Sequence, residues 1–444
     1  MSEVYWLERA WLGGSDEVDA GVVVTVDDSR FTSVEIDVVE PPPGARRLAG
    51  LTIPGLANCH SHAFHRALRG RTQRERGTFW TWRDQMYSVA GKLTPDSYYE
   101  LARATYREMA ASGITSVGEF HYLHHGADGT PYDDPNAMGL ALVQAARDAG
   151  IRMTLLDTCY LAAGIGQEPE GVQVRYSDGD AEAWHSRVDD LGSAAGSDLV
   201  VGAAIHSVRA VPRDQMRYVV EWAERRGAPL HLHLSEQVAE NKSCLEEYGE
   251  TPTGVFEEVG ALGPLTSAVH ATHLTDADVA MLGETWATAC FCPTTERDLG
   301  DGIGPSRLLS EAGSPLTLGS DSHAVIDLFE EMRAVELDER LATQERGHWS
   351  APELIVAASY AGHRSLGFPD AGRIEVGARA DLVTLDTGTP RTAGTGAGAE
   401  TVVFAATAAD VVHVVADGRV VATSDDHRKI GHDLDRTIST LWED

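Results

Sequence analysis

Residues 51–62, LTIPGLANCHSH, read as an apolar strand that runs into two histidines one residue apart. Strand side chains alternate between faces, so His60 and His62 point to the same side and can offer imidazole nitrogens to one cation. Further apolar runs follow at ITSVGEF (114–120), RMTLLDT (152–158), LVVGAAIH (199–206), PLHLHL (229–234), SAVHAT (267–272), TACFCP (288–293) and PLTLGSD (315–321), eight in all. Most of the segments between them are amphipathic and helical in pattern. The clearest is TPDSYYELARATYREMAASG (94–113), with Thr94 as N-cap, Pro95 at the first helical position and Gly113 as terminator. Continuous apolar strands separated by helices predict a parallel sheet covered on both faces, and eight such units over residues 53–371 fit a closed (β/α)8 TIM barrel, an α/β fold. On the pattern alone, a doubly wound open sheet is the alternative.

Outward from the barrel the pattern changes. Residues 1–52 hold short β segments such as GVVVTVD and SVEIDVV, closed by PPPG, and residues 372–444 return to strands at DLVTLD (381–386), ETVVFAAT (400–407) and VVHVVADGRVVAT (411–423). In the last of these ADGR reads as a hairpin turn. The two ends are expected to pair into a small β-sandwich-like domain beside the barrel. TGTPRTAGTGAGAE (387–400) reads as a surface loop; its glycines resemble a nucleotide fingerprint, but no helix is expected after them.

Thirty-six basic and 68 acidic residues leave a net charge of −32, and 43% of the 444 residues are apolar. That composition is globular, and without a basic stripe it argues against nucleic-acid binding. The N-terminal MSEVYWLERAWLGG carries charges in its apolar stretch, and nowhere do 18 uncharged apolar residues run together, so neither a signal peptide nor a membrane span is read. Five cysteines, an odd number spaced unlike a disulfide framework, suit a reducing cytoplasm, and Cys290 and Cys292 alternate within an apolar strand as ordinary buried thiols.

Ionisable residues crowd the strand ends. His206 ends the fourth strand, His233 lies on the fifth with Glu236 three residues on, His270 lies on the sixth, and Asp321 ends the eighth. In a barrel these ends share the C-terminal rim, where active sites are built. His60, His62 and His233 with the Asp321 carboxylate make an N3O set suited to one divalent ion, Zn²⁺ or Fe²⁺. A bridged two-metal centre in such barrels commonly uses a carbamylated lysine at the end of strand four, and the three lysines, Lys92, Lys242 and Lys429, lie elsewhere. The same scarcity removes Schiff-base chemistry, and no G-x-S-x-G or S-x-x-K motif supplies an activated serine. Metal-activated water is the remaining nucleophile. His121, His124 and His125 are expected in a solvated loop rather than at a second metal site, and His231 is left open between the two faces of its strand.

On these residues the sequence resembles the deaminase branch of the amidohydrolase superfamily. PGLANCHSHAFHRALRG (54–70), HLHLSEQ (231–237), HATH (270–273), GSDS (319–322) and GARADLVTLD (377–386) fall in that family's order. Within the branch it is most similar to the formimidoylglutamate deiminases, on HSHAF followed by RALRG, TFWTWRDQMY (78–87), GEFHYLHH (118–125), AIHSVRAV (204–211) and CPTTERDLGDGIGP (292–305). The resemblance implies hydrolysis of N-formimino-L-glutamate to N-formyl-L-glutamate and ammonia in histidine degradation. It also implies metal ligation by His60, His62, His233 and Asp321, and proton transfer by Glu236 and His270 with Asp321. Arg83, Tyr122, His206 and Arg209 are the implied substrate contacts. Where that family has glutamine after HSHAF this chain has His65, which can also donate to a carboxylate but bears on glutamate against aspartate chain length. The implied partner is a small dicarboxylate, with room for a homodimer. Two rival readings are a deaminase of a purine or related heterocycle, which calls for aromatic stacking, and a catalytically inactive barrel acting as a scaffold, which usually loses its ligands.

Overall fold

The computed structural model describes residues 2–14, 16–73 and 79–443; Met1 and Thr78, which end two of the stretches quoted above, lie outside them. The barrel strands are β5 (Leu56–Ser61), β6 (Ile114–His121), β7 (Arg152–Cys159), β8 (Leu199–Ile205), β9 (Leu230–Leu234), β10 (Thr266–His270), β11 (Thr288–Phe291) and β12 (Leu316–Leu318), preceded by β1 (Glu3–Ala10), β2 (Asp19–Asp27), β3 (Arg30–Glu35) and β4 (Arg46–Pro54). β5 to β12 hydrogen-bond in sequence order as one all-parallel sheet. β6 and β7 are buried along their whole length, as helices covering the outer face require.

The ring closes where β12 meets β5. Ser61 and Asp321 form a parallel bridge, and the N–H groups of Ser320 and Asp321 both donate to the His60 carbonyl, at 3.2 and 3.0 Å. A Cβ on Gly319 would lie 2.9 Å from the His60 backbone N and O, so only glycine permits this approach. The open doubly wound alternative is thereby set aside. The helix expected from Thr94 runs from Pro95 to Ala111, with the Thr94 hydroxyl accepting from the Ser97 N–H.

A second, seven-stranded mixed sheet joins the chain ends in the order β15-β14-β13-β4-β1-β2-β3, adding β13 (Leu382–Leu385), β14 (Val411–Ala416) and β15 (Arg419–Thr423). The run LTIPGLA is two strands rather than one: β4 belongs to this sheet and β5 to the barrel. The chain changes sheet at Gly55, where a Cβ would come within 2.3 Å of Thr115 Oγ1. The expected hairpin turn falls at Asp417 and Gly418, whose φ values of +47° and +75° are those a type I′ turn needs.

Two expectations at the C-terminal end fail. ETVVFAAT holds the helix Ala399–Phe404 instead of a strand, so a helix of six residues does follow the glycine-rich loop. A short apolar run packs equally well as either element, and only its neighbours decide. The chain then ends in the helix His427–Trp442, which buries Ile430, Leu434, Ile438 and Leu441. Its helical spacing is plain once seen, but Gly431 and seven charged or histidine side chains mask it. All five cysteines are buried and free, and among the described residues no helix is long and apolar enough to cross a membrane.

The two sheets are pinned together beneath the barrel by the Arg152 guanidinium. Its Nη1 lies 3.1 Å from Asp381 Oδ1 and 2.9 Å from Asp417 Oδ1, its Nη2 pairs with Asp381 Oδ2, and Nε donates to Ser116 Oγ at 3.1 Å. Arg152 and Asp381 are each only 1% exposed. Removing one partner of such a pair leaves a charge stranded in the interior. Asp381→Ala is expected to cost about 3–5 kcal/mol in chemical denaturation, with little loss for a surface control such as Glu224→Ala.

Candidate active site

His60 on β5 places its Nε2 3.1 Å from His233 Nε2 on β9 and 3.4 Å from Asp321 Oδ1. His62, one residue past β5, brings its own Nε2 to 3.3 Å from the same oxygen. Two of the rings are oriented from behind. His62 Nδ1 donates to the Phe120 carbonyl at 3.0 Å, and His233 Nδ1 donates to the His206 carbonyl at 2.8 Å. A carbonyl can only accept, so in both rings Nε2 carries the lone pair.

Burial pushes His60, His62 and His233 down, His62 to about 3. Burial alone would raise the Asp321 carboxyl, but His60, His270 and His62 hold it well below the carboxylate range. Neutral imidazole lone pairs and a carboxylate turned toward one point repel each other unless a cation lies between them. A tetrahedral ion with bonds of about 2.0–2.1 Å has ligand edges of about 3.3–3.4 Å, close to the spacings of 3.1, 3.3 and 3.4 Å found here. The donor set fits one divalent ion.

His270 closes β10 at φ +70° and stacks on His233 with centroids 5.6 Å apart. Its Nε2 faces Glu236 Oε1 at 3.9 Å and Asp321 Oδ2 at 3.8 Å, and its Nδ1 faces Glu296 Oε1 at 3.4 Å. Burial pushes this imidazole down, but Glu236, Glu296 and Asp321 outweigh it and raise it to about 10.

The residues expected to meet substrate line the same cavity as His62, His233, His270 and Asp321. His65, in the short helix Ala63–Leu68, shares a hydrogen bond of 3.0 Å with Tyr122 Oη. His206 packs edge-on against Tyr122 and Tyr160, at 5.6 and 4.7 Å between centroids. Arg83, from the helix Phe79–Lys92, lies 5.5 Å from the Tyr87 ring. Arg209 Nη2 is 3.3 Å from Glu236 Oε2.

Sequence reasoning missed part of the wall. Trp82, Tyr87, Tyr160, Gln173 and Tyr176 also line the cavity, and Gln173 Nε2 donates to Tyr160 Oη at 2.8 Å. They come from the helix Phe79–Lys92, the short helix Gly171–Arg175 and loops, with no periodic signal; position just past a barrel strand marks Tyr160 alone. His231 is fully buried and does not line the cavity.

The solvated loop expected around His121, His124 and His125 is also corrected, because all three are buried. His124 Nε2 donates to the Thr158 carbonyl at 2.9 Å, and His125 Nε2 meets Asp178 Oδ1 at 3.0 Å. Ligand atoms of His121, His124 and Asp157 do fall within 4.8 Å of one another. However, Arg187 places two guanidinium nitrogens 2.8 Å from the Asp157 oxygens, so that carboxylate already has its cation.

The Amidohydrolase family pattern matches residues 51–421. The chain is 38% identical over 362 residues to a formimidoylglutamate deiminase of Pseudomonas aeruginosa, covering 78% of this chain and 79% of that one. It is 28% identical over 408 residues to a 5-methylthioadenosine/S-adenosylhomocysteine deaminase of Haloarcula marismortui, covering 91% and 87%. The solved structure of an adenosine deaminase from Xanthomonas campestris with bound zinc superposes with a TM-score of 0.86 at 21% identity, covering 99% and 98%. Zinc titrated into metal-free protein is expected to bind at about one equivalent per chain, and His233→Ala to lose that uptake by plasma emission analysis while keeping its circular dichroism. In barrel, rim and matched sequence alike, the chain belongs to the amidohydrolase family.

Proposed function

We propose that the protein is a formimidoylglutamate deiminase, a metal-dependent hydrolase that converts N-formimino-L-glutamate and water to N-formyl-L-glutamate and ammonia. The observation that carries this reading is the presence of two guanidinium groups, Arg83 and Arg209, in the cavity that opens onto His62, His233 and Asp321. A substrate with two carboxylates needs such partners, and arginine's planar fork pairs with a carboxylate bidentately. The Pseudomonas relative points the same way. Five buried free thiols suit a cytoplasmic setting.

His60, His62, His233 and Asp321 would hold the ion. A divalent ion there supplies Lewis-acid activation of water, lowering its pKa to about 7; three imidazoles and a carboxylate favour zinc, and iron(II) accepts the same set. Asp321 accepts the proton given up by the attacking water. His270, with Nε2 between Asp321 and Glu236, stabilises negative charge as the formimino carbon becomes tetrahedral. Glu236 receives that proton from Asp321 by way of His270 Nε2 and passes it to the departing nitrogen; the C–N bond breaks, ammonia leaves, and the hydroxyl proton returns to Asp321 as the formyl carbonyl forms. His65 and Tyr122, hydrogen-bonded to each other, join His206 in setting the length of acid the cavity accepts.

One observation favours a second reading. Trp82, Tyr87, Tyr122, Tyr160 and Tyr176 give the cavity an aromatic wall suited to stacking a heterocycle, and the Haloarcula relative is a nucleoside deaminase by name. Ammonia release from formiminoglutamate, formiminoaspartate, guanine and 5′-methylthioadenosine separates the two. Turnover of formiminoglutamate well above the others is expected, and failure of both formimino acids would reject the proposal. Glu236→Gln is expected to lower kcat by about 10²–10⁴-fold.

A further inference from the structure

Arg209 is held by two carboxylates on different edges. Its Nη2 lies 3.3 Å from Glu236 Oε2, while its Nε lies 2.9 Å from Glu240 Oε2. Glu240 is 1% exposed, is absent from the cavity lining, and is fixed by the Ser235 N–H, which donates to its Oε1 at 3.1 Å. It therefore anchors the guanidinium from behind. Glu236, in contrast, lines the cavity, and its other oxygen, Oε1, faces His270 at 3.9 Å. The residue assigned to move a proton is thus tied to the residue assigned to bind a substrate carboxylate.

Resting on the function proposed above, we infer that Arg209 is a charge-reading latch on Glu236: a substrate carboxylate takes the Nη edge in exchange for Glu236, and the exchange frees Glu236 for proton transfer. Anchored through Nε by Glu240, the guanidinium stays in place while its front partner changes. A neutral ligand offers nothing in return, because breaking the contact without replacing it strips the Glu236 carboxylate of its cation in a partly dry site. Selection for anionic amidines then acts on the readiness of the proton relay as well as on binding.

The test is a double-mutant cycle on zinc-loaded protein, read by calorimetric titration with glutarate, a dicarboxylate without an amidine. If glutarate must displace Glu236, Glu236→Gln is expected to tighten its binding by about 10-fold with Arg209 present and by less than about 2-fold in the Arg209→Met background. Equal tightening in both backgrounds, no tightening, or no glutarate binding to either the wild type or Glu236→Gln overturns the latch. Should Arg209→Met fail to fold because Glu240 is left unpaired, Arg209→Met with Glu240→Gln takes its place in the cycle. Turnover of formiminoglutamate is scored separately: its absence rejects the proposed reaction, while the glutarate cycle still decides the latch.

Discussion

The backbone hydrogen bonds that close the barrel also assemble its reactive group. Ser320 and Asp321 can donate to the His60 carbonyl only if the end of β12 lies against the end of β5, and that contact sets the Asp321 carboxylate beside His60 and His62. Side chains stitch the seam a second time. Asn58 Oδ1 accepts from the Ser320 N–H at 2.9 Å, and its Nδ2 donates to Ser320 Oγ at 2.7 Å. His323 bridges Ser320 Oγ and Ser61 Oγ at 2.9 and 3.1 Å, and Ser61 donates to the buried Glu119 at 2.6 Å. Ligand geometry is therefore inherited from barrel closure, and rigid elements hold a site more tightly than loops can.

Charge acts on two scales here. The net −32 belongs to the whole surface and falls off with the screening length of the solvent. Within the cavity, Glu236, Asp321 and the buried Glu296 crowd around His270, and Arg209 partly offsets Glu236 and Glu240. The field inside the cavity of an acidic protein can thus differ from that of its surface, because it depends on a few charges a few ångströms away. The scarcity of lysine bears on the same point: the cavity's permanent cations are arginines, whose charge does not titrate in the working range.

Much of the fold was legible because its signals are local. Eight apolar runs, the Thr94 cap and the ADGR turn each rest on residues adjacent in sequence, and each lies where expected apart from the first run, which divides at Gly55. ETVVFAAT and the terminal helix were misread for the matching reason, since an apolar hexamer or a helix with a glycine on one face takes its identity from what it packs against. At the site, the spacing of His60 and His62 and the positions of His233, His270 and Asp321 at strand ends were enough to bring them to one rim. The burial of His124 and His125 was not legible, because it depends on Arg175, whose carbonyl accepts from both of their N–H groups.

The sequence by itself determined the barrel, the donor types at its rim and the absence of a lysine to bridge a second ion, because strand periodicity and residue identity are properties of the chain alone. Only the tertiary structure decided which loop side chains form the wall opposite the histidines, and that Arg209 rests on Glu236 and Glu240. Those contacts join residues from separate βα units, and their distances follow from how the ring closes and how loops pack over it, which no local pattern encodes.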